Sequence, residues 1–142
     1  MIFVAGIARL ALSLAGVPNS TAKWFSMTAL GLIGVVYYAI RVHTSGFGSF
    51  KQLLVICTLQ NLVAQAIAIF GIVLAIVTGA GNIFSAPEFA FGRDGKTWTH
   101  AAAHLFAGTT LGSVLPWLFG CAILAATRKL ANSDSKTKSS HN

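Results

Sequence analysis

After Lys51 the sequence runs to Thr78 without another charged side chain. A helix needs about 20 apolar residues to cross the ~30 Å hydrocarbon core of a bilayer, and this run exceeds that length. Lipid gives backbone N–H and C=O groups no partners, so a run of this kind in a bilayer resolves as helix. Stretches at about 23–42 and 97–128 have the same character, and a shorter one covers 2–17. The expected fold is all-α and integral to a membrane, a four-helix transmembrane bundle over residues 1–130. The first helix is short, and either spans or lies in the interface. The polar segment 131–142 is read as a disordered cytoplasmic tail.

Composition agrees. Of the 142 residues 55% are hydrophobic and 9% charged, against roughly 25% charged in soluble domains. The net charge of +7 comes from 10 basic and 3 acidic residues. The basic residues sit at the ends of apolar runs, which suits orientation in a bilayer and argues against nucleic acid as a partner. Glu88, Asp94 and Asp134 all lie outside the apolar segments. A proton-coupled transporter would need an ionisable relay inside them. Cys57 and Cys121 form no CxxC pattern and read as reduced, buried side chains.

Orientation follows the excess of Lys and Arg. Arg41, Lys51, Arg128, Lys129, Lys136 and Lys138 fall on one side of the expected helices, and Lys23, Arg93 and Lys96 on the other. The richer side is expected to be cytoplasmic in a plasma or inner membrane, with both termini inside. Trp24 and Trp98 then share the external interface. In the first helix Gly6, Arg9, Ser13 and Gly16 form one narrow face toward other helices, and Arg9 is expected to snorkel to the cytoplasmic edge.

Read by fours, the last helix carries a ridge of His100, His104, Gly108, Gly112, Pro116 and Gly120. Gly108 and Gly112 form a GxxxG element that admits a close neighbour. The third helix gathers Thr58, Asn61 and Gln65 on one side, where amides in a bilayer need partners. Gln60 points elsewhere. On the second helix Gly31 and Gly34, with Thr28 and Tyr38, make a looser strip. These three faces are expected to form the inner seam.

The two histidines admit several uses. A bis-histidine haem needs ligands on opposite sides of the ring at one depth, and His43 is expected a bilayer thickness from His104. As a metal site the pair would draw on Glu88 and Asp94, but HAAAH lacks the glutamate of HExxH. No cofactor is therefore expected, and polar packing at the mouth of the bundle is the leading reading, with metal at His100 and His104 the alternative. At the opposite end Arg41, His43, Lys51, Arg128 and Lys129 could hold an anionic lipid headgroup.

Between the last two helices, "SAPE" (Ser85 to Glu88) reads as a capping box opening a short helix. Phe84, Phe89 and Phe91 would anchor it at the interface or fold it over the bundle. "AFGRDGKT" (Ala90 to Thr97) resembles a relaxed phosphate loop, but no strand precedes it, and a turn at Asp94–Gly95 is expected instead. Asn19 or Ser20 is expected to cap the second helix. The function expected is that of a non-enzymatic accessory or structural subunit, in a homo-oligomer or larger membrane complex. An oligomeric small-solute channel or transporter is the alternative, and a metal- or haem-dependent membrane enzyme the third.

Overall fold

The computed structural model describes residues 1–44 and 49–139, with the side chains of all of these but His43 and 132–139. The elements are α1 (Ile2–Leu14), α2 (Asn19–Ala22), α3 (Met27–Thr44), α4 (Phe50–Thr78), a 3-10 turn (Pro87–Phe89), α5 (Trp98–Ala103), a π-turn (His104–Gly108) and α6 (Thr109–Ser139). No strand occurs among the described residues. Three stretches, Asn19–Val42, Phe50–Thr78 and Trp98–Ala131, are long and apolar enough to cross a membrane. With 13 residues, α1 is only about 20 Å long at ~1.5 Å per residue. It falls short of the 2–17 expected because the chain turns at Gly16, whose φ is +83°, a conformation that glycine adopts freely.

Local chemistry sets the other boundaries. Ser49 and Gln52 form a reciprocal capping box at the start of α4, and Gly79 closes it in the left-handed conformation. Ser26, not Asn19 or Ser20, opens the second long helix. Its Oγ accepts from the Ala29 N–H at 3.2 Å, so α3 begins at Met27 and Lys23 lies in the turn before it. Pro18 stands at the head of α2, and the Asn19 side chain turns instead to Glu88. Thr97 caps α5 by accepting from the His100 N–H. At the other end, helical backbone continues to Ser139, beyond the end expected at Arg128 and through most of the segment read as disordered. No glycine or proline stands between Ala126 and Ser139 to stop it. Residues 140–142 lie outside the described residues.

The helices enclose two separate cores. At the end carrying the 79–97 loop, Leu10, Met27, Ile67, Ile72, Ile83 and Phe84 are buried together. At the opposite end Val35, Ala39, Val42, Leu53, Cys57 and Leu124 form a second cluster drawn from α3, α4 and α6 alone. The short α1 explains the division. Its first residue, Ile2, reaches only as deep as Gly31 of α3, where an added Cβ would lie 4.0 Å from the Ile2 side chain. Outward faces carry exposed Leu59, Phe70, Val77, Phe106, Leu115 and Leu118. Where lipid is the solvent, transfer adds little for such groups, and interior packing must come from van der Waals fit and hydrogen bonds.

Candidate functional site

Asn61, at the middle of α4, points at the π-turn between α5 and α6. Its Nδ2 donates toward the Gly108 carbonyl (3.1 Å), the Thr109 carbonyl (2.8 Å) and Ser113 Oγ (3.1 Å). Two carbonyls at that atom fix the amide's orientation, since an oxygen there would be repelled. Asn61 Oδ1 therefore accepts, and Gln65 Nε2 donates to it at 3.2 Å. Gln65 Oε1 in turn accepts from His104 Nδ1–H at 2.7 Å. The order of donors places a proton on Nδ1, and in the neutral ring this tautomer leaves an acceptor lone pair on Nε2. His100 stands beside it, ring centroids 4.9 Å apart, and its Nδ1–H donates to the Gly95 carbonyl at 2.9 Å.

The glycines of the ridge receive these side chains. A Cβ at Gly108 would lie 2.7 Å from Gln65 Oε1, and one at Gly112 would lie 2.5 Å from Asn61 Oδ1. Further along, a Cβ at Gly120 would meet Val35 (2.8 Å) and Leu53 (2.9 Å). A ridge read by fours drifts around a helix of 3.6 residues per turn. The wider π-turn sets the ridge back, so that both its histidine end and its glycine end face α4. Gly108 and Gly112 thus face α4 of the same chain. Gly34 does the same for Gln60, whose Nε2 would lie 2.5 Å from an added Cβ. Thr58 is half-buried and makes no side-chain hydrogen bond among the described residues. Tyr38 turns outward against Tyr37.

Arg9 departs from expectation. Its guanidinium lies under the loop, 5.1 Å from the Phe89 ring centroid and 5.5 Å from that of Phe84, and not at the end where α3 and α6 carry their basic residues. The two aromatic rings of the loop hold the guanidinium there by cation–π contact. Arg9 borders a cavity of about 350 Å³ between α1, α3, α4, α6 and the loop's Phe84 and Phe89. Thr28, Gln60, Asn61, Gln65 and His104 supply its polar lining. Two buried atoms have no hydrogen-bond partner among the described residues, Arg9 Nε and Gln60 Oε1.

The loop closes this end through residues that patterning overlooked. Asn82 is buried, donates to the Gly71 carbonyl at 2.6 Å and accepts from the Phe84 N–H at 3.0 Å. Ser13 Oγ accepts from the Ile83 N–H at 2.8 Å. Ser85 bonds back to Asn82 and caps nothing, so "SAPE" yields a single 3-10 turn after Ala86 and not a capped helix. Phe84 is buried and Phe91 fully exposed. The Asp94–Gly95 turn forms, with Asp94 Oδ1 accepting from the Lys96 N–H. Asn19 Nδ2 donates to Glu88 Oε1 at 2.7 Å, and this bond holds the Glu88 carboxyl below the usual carboxylate range. Among the described residues no third His, Cys, Asp or Glu joins His100 and His104.

At the far end Arg128 stacks over the Phe50 ring, 5.1 Å from its centroid, and Trp117 Nε1–H donates to the Phe50 carbonyl at 2.8 Å. Arg41, Lys51 and Lys129 are exposed on the helix ends around them. The side chain of His43 and residues 45–48 lie outside the described residues.

No family model, curated protein or solved structure matches the chain in comparisons with known proteins.

Proposed function

We propose that the protein is a multi-pass membrane subunit without catalytic chemistry of its own, an accessory or structural component of a homo-oligomer or larger complex. In this reading α3, α4 and α6 cross a plasma or inner membrane, and α1 completes a four-helix bundle as its short member. The end bearing Arg41, Lys51, Arg128 and Lys129 faces the cytoplasm, in keeping with the excess of basic residues there.

One observation carries the reading. The polar groups of the seam form a directed chain, His104 to Gln65 to Asn61, that terminates on the Gly108 and Thr109 carbonyls, where the π-turn meets α6. Such a chain ties helices together inside one molecule, while the outward faces offer apolar surface to lipid or to a second membrane helix. The test is alkaline extraction of native membranes followed by purification in mild detergent. Retention in the membrane, with a discrete oligomer or a stoichiometric partner, is the expected result. Release by alkali, or a strictly monomeric particle with no partner, would overturn it.

A second reading, passage of a small solute, is favoured by the polar lining of the cavity. It predicts flux in reconstituted vesicles that falls in a folded Gln65→Leu variant.

A further inference from the structure

The cavity joins three features that rarely meet by chance in an apolar interior. A cation, Arg9, borders it with no carboxylate partner among the described residues. Its Nε is buried without an acceptor, and Gln60 Oε1 is buried without a donor. The remaining walls are largely apolar, among them Met27, Leu32, Val35 and Ala68. An unpaired buried polar atom is costly, and a guanidinium in such surroundings more so. Stacking on Phe84 and Phe89 eases this for the face of the guanidinium, but an N–H in its plane still needs an oxygen.

We propose that the cavity binds a single-chain amphiphilic carboxylate whose apolar body carries a hydroxyl or N–H. Arg9 receives the carboxylate side-on, through Nε and a terminal nitrogen. That planar fork matches two oxygens of one carboxylate. Gln60 lies deeper than Arg9, since it meets Gly34 while α1 reaches only to Gly31. It accepts from the donor on the ligand's body. At about 350 Å³ the space lies at the small end of the ~300–1,000 Å³ typical of ligand sites, which suits one alkyl chain. The ligand enters through the bilayer, so its route rests on the membrane reading above, but the contacts do not depend on any partner.

The test is equilibrium binding of radiolabelled laurate, and of laurate hydroxylated at its far end, to the full chain in nanodiscs. Empty nanodiscs provide the partition background, and thermal unfolding checks that the Arg9→Gln variant is folded. Saturable binding is expected for both acids, tighter for the hydroxylated one, and weaker by at least about tenfold in Arg9→Gln. Arg9→Lys keeps the charge but loses the fork and should fall between. Gln60→Leu should abolish the preference for the hydroxylated acid without removing laurate binding. Equal binding by folded Arg9→Gln, equal binding of lauryl alcohol, or no saturable binding by a folded wild type would each overturn the proposal. Displacement of laurate by an anionic two-chain phospholipid at matching concentrations would assign the site to a headgroup instead. A protein that stays in the membrane with its partner but binds no acid would defeat this inference and leave the proposed function standing.

Discussion

At the loop end α4 meets the π-turn and α6 through Asn61, Gln65 and His104. At the opposite end the same helix meets α6 through Leu53, Leu124 and Gly120. The first contact is polar and directional and the second apolar and close-packed, and the cavity between them reaches Val35 and Cys57 of the second core. α1 marks the difference, because it covers only the loop end. Where three helices suffice, branched and small side chains fill the interior. Where a fourth is added, its Arg9 brings a charge that no side chain of the described chain neutralises. Side-chain hydrogen bonds fix which groups face each other at one end, while at the other apolar shape does most of this, helped by the single bond from Trp117 to the Phe50 carbonyl.

This contrast can be broken by mutation. The largest effect is expected from Leu53→Ala in the apolar core, where Leu53 is fully buried. A loss of about 2–4 kcal/mol should appear in denaturant unfolding followed by circular dichroism in micelles. Next comes Gly112→Ala. Its new methyl would displace Asn61 from the Gly108 and Thr109 carbonyls at a cost of about 1–3 kcal/mol, and hydrogen exchange should rise around His104–Ser113 but not around Leu124. Asn61→Ala removes the bonds without crowding and should cost about 0.5–2 kcal/mol, the range of single interhelical hydrogen bonds in membrane proteins. An Asn61→Ala loss larger than that of Leu53→Ala would reverse the ranking of the two ends.

The smallest effect concerns the loop. Because the bond from Asn19 depresses the folded pKa of Glu88, its contribution is fully present above the unfolded carboxylate pKa. It is lost as pH falls through the lower, folded value. Asn19→Ala should move the Glu88 titration, followed by carbon-13 NMR of the carboxyl, upward toward the ordinary range. An unchanged midpoint would remove Asn19 as the cause.

Much of this was legible in the chain. Asn61 and Gln65 announce an inward face because amides stand out in an aliphatic run, and the His100–Gly120 ridge announces the surface that receives them. Arg9 was misplaced because its nearest sequence neighbours say nothing of a loop more than seventy residues away. Asn82 was overlooked because an asparagine after glycines reads as turn, and only the fold brings it under the Gly71 carbonyl. The helix starts at Met27 and the unused "SAPE" box show the same limit, since a capping residue is chosen by competition among nearby acceptors.

What the sequence by itself determined are the long helices and their apolar outer faces. Helical hydrogen bonds close within a few residues, and hydropathy along a run is a local property. Only the tertiary structure decided that the glycines face amides of their own chain, that His104 holds a proton on Nδ1, and that Arg9 borders a cavity. Each of these depends on which side chains meet across helices, and the spacing within a single helix carries no record of its neighbour.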